Sequence, residues 1–310
     1  MRRIFGYSVF AVGCLLVFLG PLLYVYTKPR VEKAPIDVYE RTVSVGSARV
    51  FSPQVLRLEG PFPAENVSIA KSNKAASTKE IAVISIFDRT RNLQTGKDFS
   101  YGLTIYAMDR TSGEAVRCDC GETPGIRGLT LKFPFGTKKR TYLFYDSTAR
   151  KPFPARYLRT ESLEGLDVYV FQSDVPATRI GTLELPGGLL GAERGLHPTE
   201  RWYTAVTTLR VEPVTGAIIK AGQISSQWTV FEGRYAVTLA QTNFVNDQVS
   251  IARTAEQVRS KVYQLRLVQL WIPAVGPVLG VILMAVGLVL LRPLRPVGPT
   301  LQQAPIEAVA

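Results

Sequence analysis

A chain of 310 residues is long enough for one large domain, or two small ones, together with membrane anchors. Hydrophobic content of 46% and a mean hydropathy of +0.09 exclude intrinsic disorder, and are too low for a polytopic transporter. The formal net charge of +12 points to anionic partners: phospholipid headgroups, acidic polymers or nucleic acid.

The chain opens with Arg2 and Arg3, then the apolar run Ile4 to Tyr26. A signal peptide has an apolar core of about 7–15 residues and ends at a small-x-small site. This run is longer and closes on Tyr24-Val25-Tyr26-Thr27-Lys28, so it reads as a transmembrane helix with tyrosines at the interface. Ala11-Val12-Gly13-Cys14 has the outline of a lipobox, but apolar residues continue well beyond Cys14.

After a short Pro-containing spacer the signal turns to β. Alternation is visible in Thr42 to Val45, Ile81 to Phe87, Tyr101 to Met108, Thr141 to Tyr145 and Leu166 to Gln172. Lys71 to Lys79 reads as a polar loop or short helix. The strongest hairpin joins Trp202–Glu212 to Ala217–Gln223 through Pro213-Val214-Thr215-Gly216, where Pro and Gly occupy turn positions. Ile224–Phe231 and Arg234–Gln241 continue a meander. The expectation is a mainly antiparallel β (α+β) ectodomain over residues 27–245.

At Asn246 the period changes. Ile251, Ala255, Val258, Val262 and Leu265 recur at helical spacing, with Asn246 or Asp247 as N-cap, giving an amphipathic helix over 246–270. Its stripe is expected to dock on the β domain, with coiled-coil self-association as the alternative. A second uncharged span follows over 271–291. It begins at Trp271 and carries Pro273 and Pro277, which are expected to bend its outer turns. Gly276 and Gly280 form G-x-x-x-G, and Gly13 and Gly20 offer a matching smooth face on the first span, so the two spans are expected to pack together within one chain, dimerisation being the alternative. Arg292 and Arg295 place the tail, 292–310, on the same cytoplasmic side as residues 1–3. Both termini are thus expected in the cytoplasm and the bulk of the chain outside the plasma membrane, which leaves no role for nucleic acid.

Chemistry is sparse. The single histidine, His197, stands before Pro198, so a His-based metal cluster is excluded. There is no nucleophile elbow or P-loop, and Leu185 to Gly191 is Gly-rich without the Lys and Ser/Thr of a phosphate loop, so it reads as a flexible turn. Cys118 and Cys120, in Cys-Asp-Cys, read as free thiols or as a disulfide on an oxidising face. No catalytic residue, cofactor site or metal site is assigned. The distinctive stretch is Lys138 to Arg159, where Lys138, Lys139, Arg140, Arg150, Lys151, Arg156 and Arg159 are interleaved with Tyr and Phe against one acid, Asp146. Basic residues among aromatics suit an anionic headgroup. A solvated charged loop region with core aromatics is the plainer alternative.

Tyr145-Asp146-Ser147-Thr148 with Lys151-Pro152, then Tyr157, Thr160-Glu161, Gly165 to Phe171 with Val175-Pro176, and Val211 to Ile219, together with a terminal span at each end, resemble the actinobacterial porin PorA family. The resemblance covers nearly the whole chain. It implies an actinobacterial envelope protein, and the family name implies a channel in the mycolate outer layer. A β-rich ectodomain held by a span at each end is also similar, in topology alone, to lipid scavenger receptors. Neither span carries a polar stripe for a water-filled pore. The residues therefore lead to a non-enzymatic envelope protein whose ectodomain binds or passes a lipid or glycolipid. An oligomeric channel is the alternative, and an envelope lipid or glycan enzyme the lesser one. The expected partners are the bilayer, an anionic lipid or envelope glycolipid, and further copies of the chain.

Overall fold

Period-two alternation builds ten strands in the structure, a computed structural model that describes residues 2–266 and 272–292. They are β1 (Tyr39–Ser52), β2 (Arg57–Ser72), β3 (Ile81–Asn92), β4 (Asp98–Asp109), β5 (Tyr142–Asp146), β6 (Lys151–Leu163), β7 (Leu166–Pro186), β8 (Leu196–Val211), β9 (Ile218–Phe231) and β10 (Arg234–Asn246). They form one antiparallel sheet in the order β4-β3-β2-β1-β10-β9-β8-β7-β6-β5. Helices stand at both ends: α1 (Arg2–Val31) before the sheet, α3 (Gln248–Arg266) and α4 (Ile272–Leu291) after it, with α2 (Gly187–Leu190) a single turn after β7. The Gly-rich stretch expected as a flexible turn is thus the end of a long strand and a short helix. Contacts divide the chain into two units, Met1–Lys28 with Arg266–Ala310, and Pro29–Leu265. Trp271, Arg295 and the rest of the tail lie outside the described residues, as does the environment of Pro273.

Register defines the inward face of the sheet. Val175, Ala205, Ser225, Thr242, Ala48 and Phe62 are paired in turn across six neighbouring strands. Val175, Ala205, Ala48 and Phe62 are buried, and Ser225 Oγ lies 2.8 Å from Thr242 Oγ1. The neighbouring rows are also rich in small polar groups. Gln223 donates to Thr207 Oγ1 at 3.0 Å, Asn246 to Ser44 Oγ at 3.0 Å, and Asn66 to Thr90 Oγ1 at 3.0 Å. Alternation sends Glu65, Arg89, Arg156, Asp174 and Arg210 to the other face. A membrane-spanning barrel needs a continuous outward apolar band there; on this face charged residues stand among exposed Phe87, Tyr101, Leu103, Val206 and Ile224.

The sheet rolls until its outer strands approach each other: the rings of Tyr106 on β4 and Tyr145 on β5 lie 6.5 Å apart. The linker between these strands, residues 110–141, bridges them. Val116 N–H donates to Ala107 O (2.9 Å), Ala115 N–H to Gly128 O (2.8 Å), Leu129 N–H to Leu143 O (2.8 Å) and Tyr145 N–H to Leu129 O (2.9 Å). It then crosses the inward face. Leu131 packs on Ala82, Ile84 and Met108. Leu129 and Phe133 pack among Tyr142, Ala155, Phe171, Leu209 and Val211. Phe133 is fully buried, 4.7 Å from the Phe171 ring and 5.3 Å from that of Tyr142.

The β8–β9 turn receives this linker. Phe133 N–H donates to Gly216 O at 2.7 Å, and Thr137 N–H to Pro213 O at 2.7 Å. Gly216 has φ +74°, and any Cβ there would collide with the Phe133 carbonyl, so the turn requires glycine. Buried Glu212 holds the turn from inside, accepting from Val214 N–H (2.9 Å), Thr215 N–H (2.8 Å) and Thr215 Oγ1 (2.6 Å).

Asp247 caps α3, its Oδ1 accepting from Ser250 N–H at 2.9 Å. The whole apolar stripe of α3 is buried, and Ile251, Ala255, Val258 and Val262 pack on Leu166, Val168 and Ile219 of β7 and β9. Each fully buried aliphatic side chain contributes about 1.5–3 kcal/mol. Replacing Phe133 by Ala leaves a cavity where the linker docks and is expected to lower stability by about 3–5 kcal/mol. Chemical denaturation of the full chain in detergent, followed by tryptophan fluorescence, measures the loss.

Candidate functional site

The β5–β6 hairpin and the linker before it carry the basic segment. All seven residues, Lys138, Lys139, Arg140, Arg150, Lys151, Arg156 and Arg159, are exposed. The linker returns from the β8–β9 turn at Thr137, and Lys138 N–H donates to Tyr142 Oη at 2.9 Å. This places Lys139 Nζ 5.2 Å from the Tyr169 ring centroid and 5.5 Å from that of Tyr157, with the Arg140 guanidinium 4.9 Å from Tyr142. Exposed cation–π contacts of this kind contribute only about 0.5–1 kcal/mol each, so they orient the charges without burying them. Arg150 and Lys151 sit at the opposite end of the hairpin, roughly 20 Å away at about 3.3 Å per strand residue. Arg159 is engaged with Glu161, which Arg210 also reaches at 2.9 Å. The structure therefore collects Lys138, Lys139 and Arg140 at one end of the hairpin, with Arg156 beside them in register, and sets Arg150 and Lys151 at the other end.

Asp146 explains the hairpin. Its Oδ1 accepts from Thr148 N–H (2.9 Å) and Ala149 N–H (2.7 Å), and its Oδ2 from Tyr203 Oη (3.0 Å). Burial pushes this carboxyl above the usual aspartate range. Lys132 is also buried. Its Nζ lies 3.2 Å from Thr111 O and 3.8 Å from the Phe135 ring centroid, and burial pulls its pKa down to about 7. In the sequence Asp146 stands out only as the one acid of the basic stretch, and Lys132 does not stand out at all. An Asp two and three residues before small residues is a readable turn signal; a buried lysine in irregular chain has no such signal.

A shallow groove of about 350 Å³ lies across β8, β9, β10 and β1, lined among others by Arg49, Thr204, Val206, Ile224, Gln241 and Asn243. Its walls mix amides, hydroxyls and exposed Val206 and Ile224.

Cys118 and Cys120 form a disulfide, with Cα atoms 5.2 Å apart. Glu122 sits against it: its carboxylate accepts from the N–H groups of Cys118 (3.1 Å), Asp119 (3.1 Å) and Cys120 (2.8 Å). Hydrogen bonds from backbone amides, its own first among them, hold this carboxyl below the usual glutamate range. Cys14 is a free thiol in α1.

The terminal helices pack through glycine. A Cβ on Gly13 would stand 2.7 Å from Gly280 O, and one on Gly280 would stand 2.6 Å from Gly13 O. One heptad along, a Cβ on Gly287 would meet Phe10 Cβ at 2.8 Å and Gly6 O at 3.0 Å. Gly6 and Gly13 thus face Gly287 and Gly280 across an antiparallel pair. Gly276 is half-buried on α4, and the packing of Gly20 lies outside the described residues.

A rolled antiparallel sheet, with one long apolar helix before it and another after it in the chain, defines the class of protein. A protein named Porin PorA, from Corynebacterium amycolatum, is 21% identical over 293 residues, covering 71% of this chain and 76% of that relative. Among solved structures, a MaoC domain protein from Chloroflexus aurantiacus J-10-fl aligns over 79% of this chain and 90% of its own at 9% identity, with a TM-score of 0.14, too low to carry a shared fold. The family described as Porin PorA matches residues 5–289, and the chain belongs to that family.

Cysteines replacing Phe10 and Gly287, introduced in a background lacking the native thiols, are expected to cross-link within one chain on mild oxidation. Gly280→Leu should reduce that cross-link several-fold. Non-reducing electrophoresis reads both, and a dimer band in place of a faster-running monomer contradicts the intramolecular pairing.

Proposed function

We propose that this chain is a non-enzymatic, membrane-anchored envelope protein that acts as part of an oligomeric channel. The observation that carries the reading is the family match, which takes in both terminal helices as well as the sheet. α1 and α4 support the anchoring: Ile4–Val31 and Ala274–Leu291 have mean hydropathies of 2.3 and 2.6 with little of their surface buried. Apolar surface left in water costs about 25 cal/mol per Å², a penalty that a bilayer removes. Arg2, Arg3 and Arg292 beside the apolar helices favour a cytoplasmic side for both termini.

The conducting path lies between copies of the chain. Phe133, Tyr142 and Phe171 fill part of the inward face of the sheet, and charged side chains interrupt the outward one. A single sheet therefore offers neither an open lumen nor a lipid-facing band. Purified full-length protein in planar bilayers is expected to give stepwise conductance, with cross-linking that yields one defined oligomer. A cross-linkable oligomer that never conducts removes this reading.

A lipid- or glycolipid-binding role in the same envelope is the second reading, favoured by the exposed cluster Lys138, Lys139 and Arg140 beside Tyr142, Tyr157 and Tyr169. The family match weighs for the channel. Each cation near an anionic surface contributes about 1 kcal/mol. The triple variant Lys138→Glu, Lys139→Glu, Arg140→Glu is accordingly expected to bind phosphatidylglycerol vesicles at least ten-fold more weakly in flotation assays. Unchanged flotation removes the headgroup role and leaves the channel reading standing.

A further inference from the structure

The loop from Arg117 to Glu122 carries chemistry that neither the channel nor the lipid reading uses. Cys118 Sγ, Cys120 Sγ and a carboxylate oxygen of Glu122 lie within 4.8 Å of one another, and all three residues are half-buried, within reach of solvent. We propose that this loop is a redox-gated site for a thiophilic divalent cation of the zinc class, closed while the disulfide stands and open once a thiol reductant has cleaved it.

The carboxylate is held in place by backbone amides rather than by the sulfurs. Oε1 accepts from the N–H groups of Cys118 and Asp119 and Oε2 from that of Cys120, so Oε2 keeps a lone pair. Cys118 Sγ already stands 3.5 Å from Glu122 Oε2. Two thiolates and a carboxylate form a donor set that zinc and cadmium accept without histidine, and three protein ligands leave a fourth tetrahedral position for water.

The donors are close enough to share one ion: both sulfurs and a Glu122 oxygen lie within 4.8 Å of one another, and a dication bound by two thiolates and a carboxylate offsets their mutual repulsion. In the opening step a dithiol reductant gives two electrons and two protons to the disulfide, yielding two protein thiols and its own disulfide. In the binding step the cation displaces both thiol protons, which leave to solvent, and two metal–sulfur bonds form. In the oxidised loop each sulfur is committed to the other and the site has no thiolate to offer.

The test uses the full-length chain carrying Cys14→Ser, so that these two are the remaining cysteines. The protein is reduced with a phosphine, freed of reductant without air, and titrated with Cd²⁺. A sulfur-to-cadmium charge-transfer absorption should appear and saturate at one ion per chain, with two protons released and Zn²⁺ competing. The oxidised chain should show none, Cys120→Ser should abolish the band, and Glu122→Gln should weaken binding about ten-fold. No band in the reduced protein overturns the proposal. So does a band of equal strength in the oxidised chain or in Cys120→Ser.

Discussion

The docking of Phe133 against Phe171 and Tyr142 is the contact on which the rest of the structure depends. An antiparallel sheet of ten strands has two edges and one face to cover, and the linker between its outer strands does both tasks. It bridges β4 to β5 with four backbone hydrogen bonds and fills the inward face with Leu129, Leu131 and Phe133. The β8–β9 turn is built to receive it: Gly216 leaves room for the Phe133 carbonyl, and buried Glu212 holds the turn so that its own carbonyls point at the linker. An exposed sheet edge is an aggregation template, and closing it with one's own chain removes that hazard.

The same packing separates this sheet from the strands of a transmembrane barrel. Those turn apolar side chains outward and polar ones in, at equal depth along every strand. Here the inward rows mix alanine, serine and threonine with large aromatics, and arginine and glutamate stand outside. The long apolar elements of this chain are α1 and α4, and no residue between Ile272 and Leu291 is charged.

Much of this was legible in the residues. β1, β3, β4, β8 and β9 alternate clearly because one face is buried and the other wet, and α3 declares itself through five apolar positions at helical spacing. β2 and β6 were hidden because Pro61, Pro63, Pro152 and Pro154 break the usual strand vocabulary. The linker was unreadable: its residues follow no period, and their partners are remote in sequence. The glycine pairing was half legible. G-x-x-x-G draws attention to Gly276 and Gly280, whereas the contacts between the helices repeat every seven residues, bringing in Gly6 and Gly287, because helices that cross at shallow angles meet once per heptad. Cys118 and Cys120 are readable as free thiols or a disulfide, whereas the place of Glu122 against them, two residues beyond Cys120, follows from no sequence pattern.

The glycine faces of α1 and α4 have a consequence for biogenesis. They are complementary, yet nearly the whole chain separates them. In the anchored arrangement proposed above, the first helix would enter the bilayer long before its mate has been synthesised, and throughout that interval the smooth surface around Gly6 and Gly13 would have no native partner.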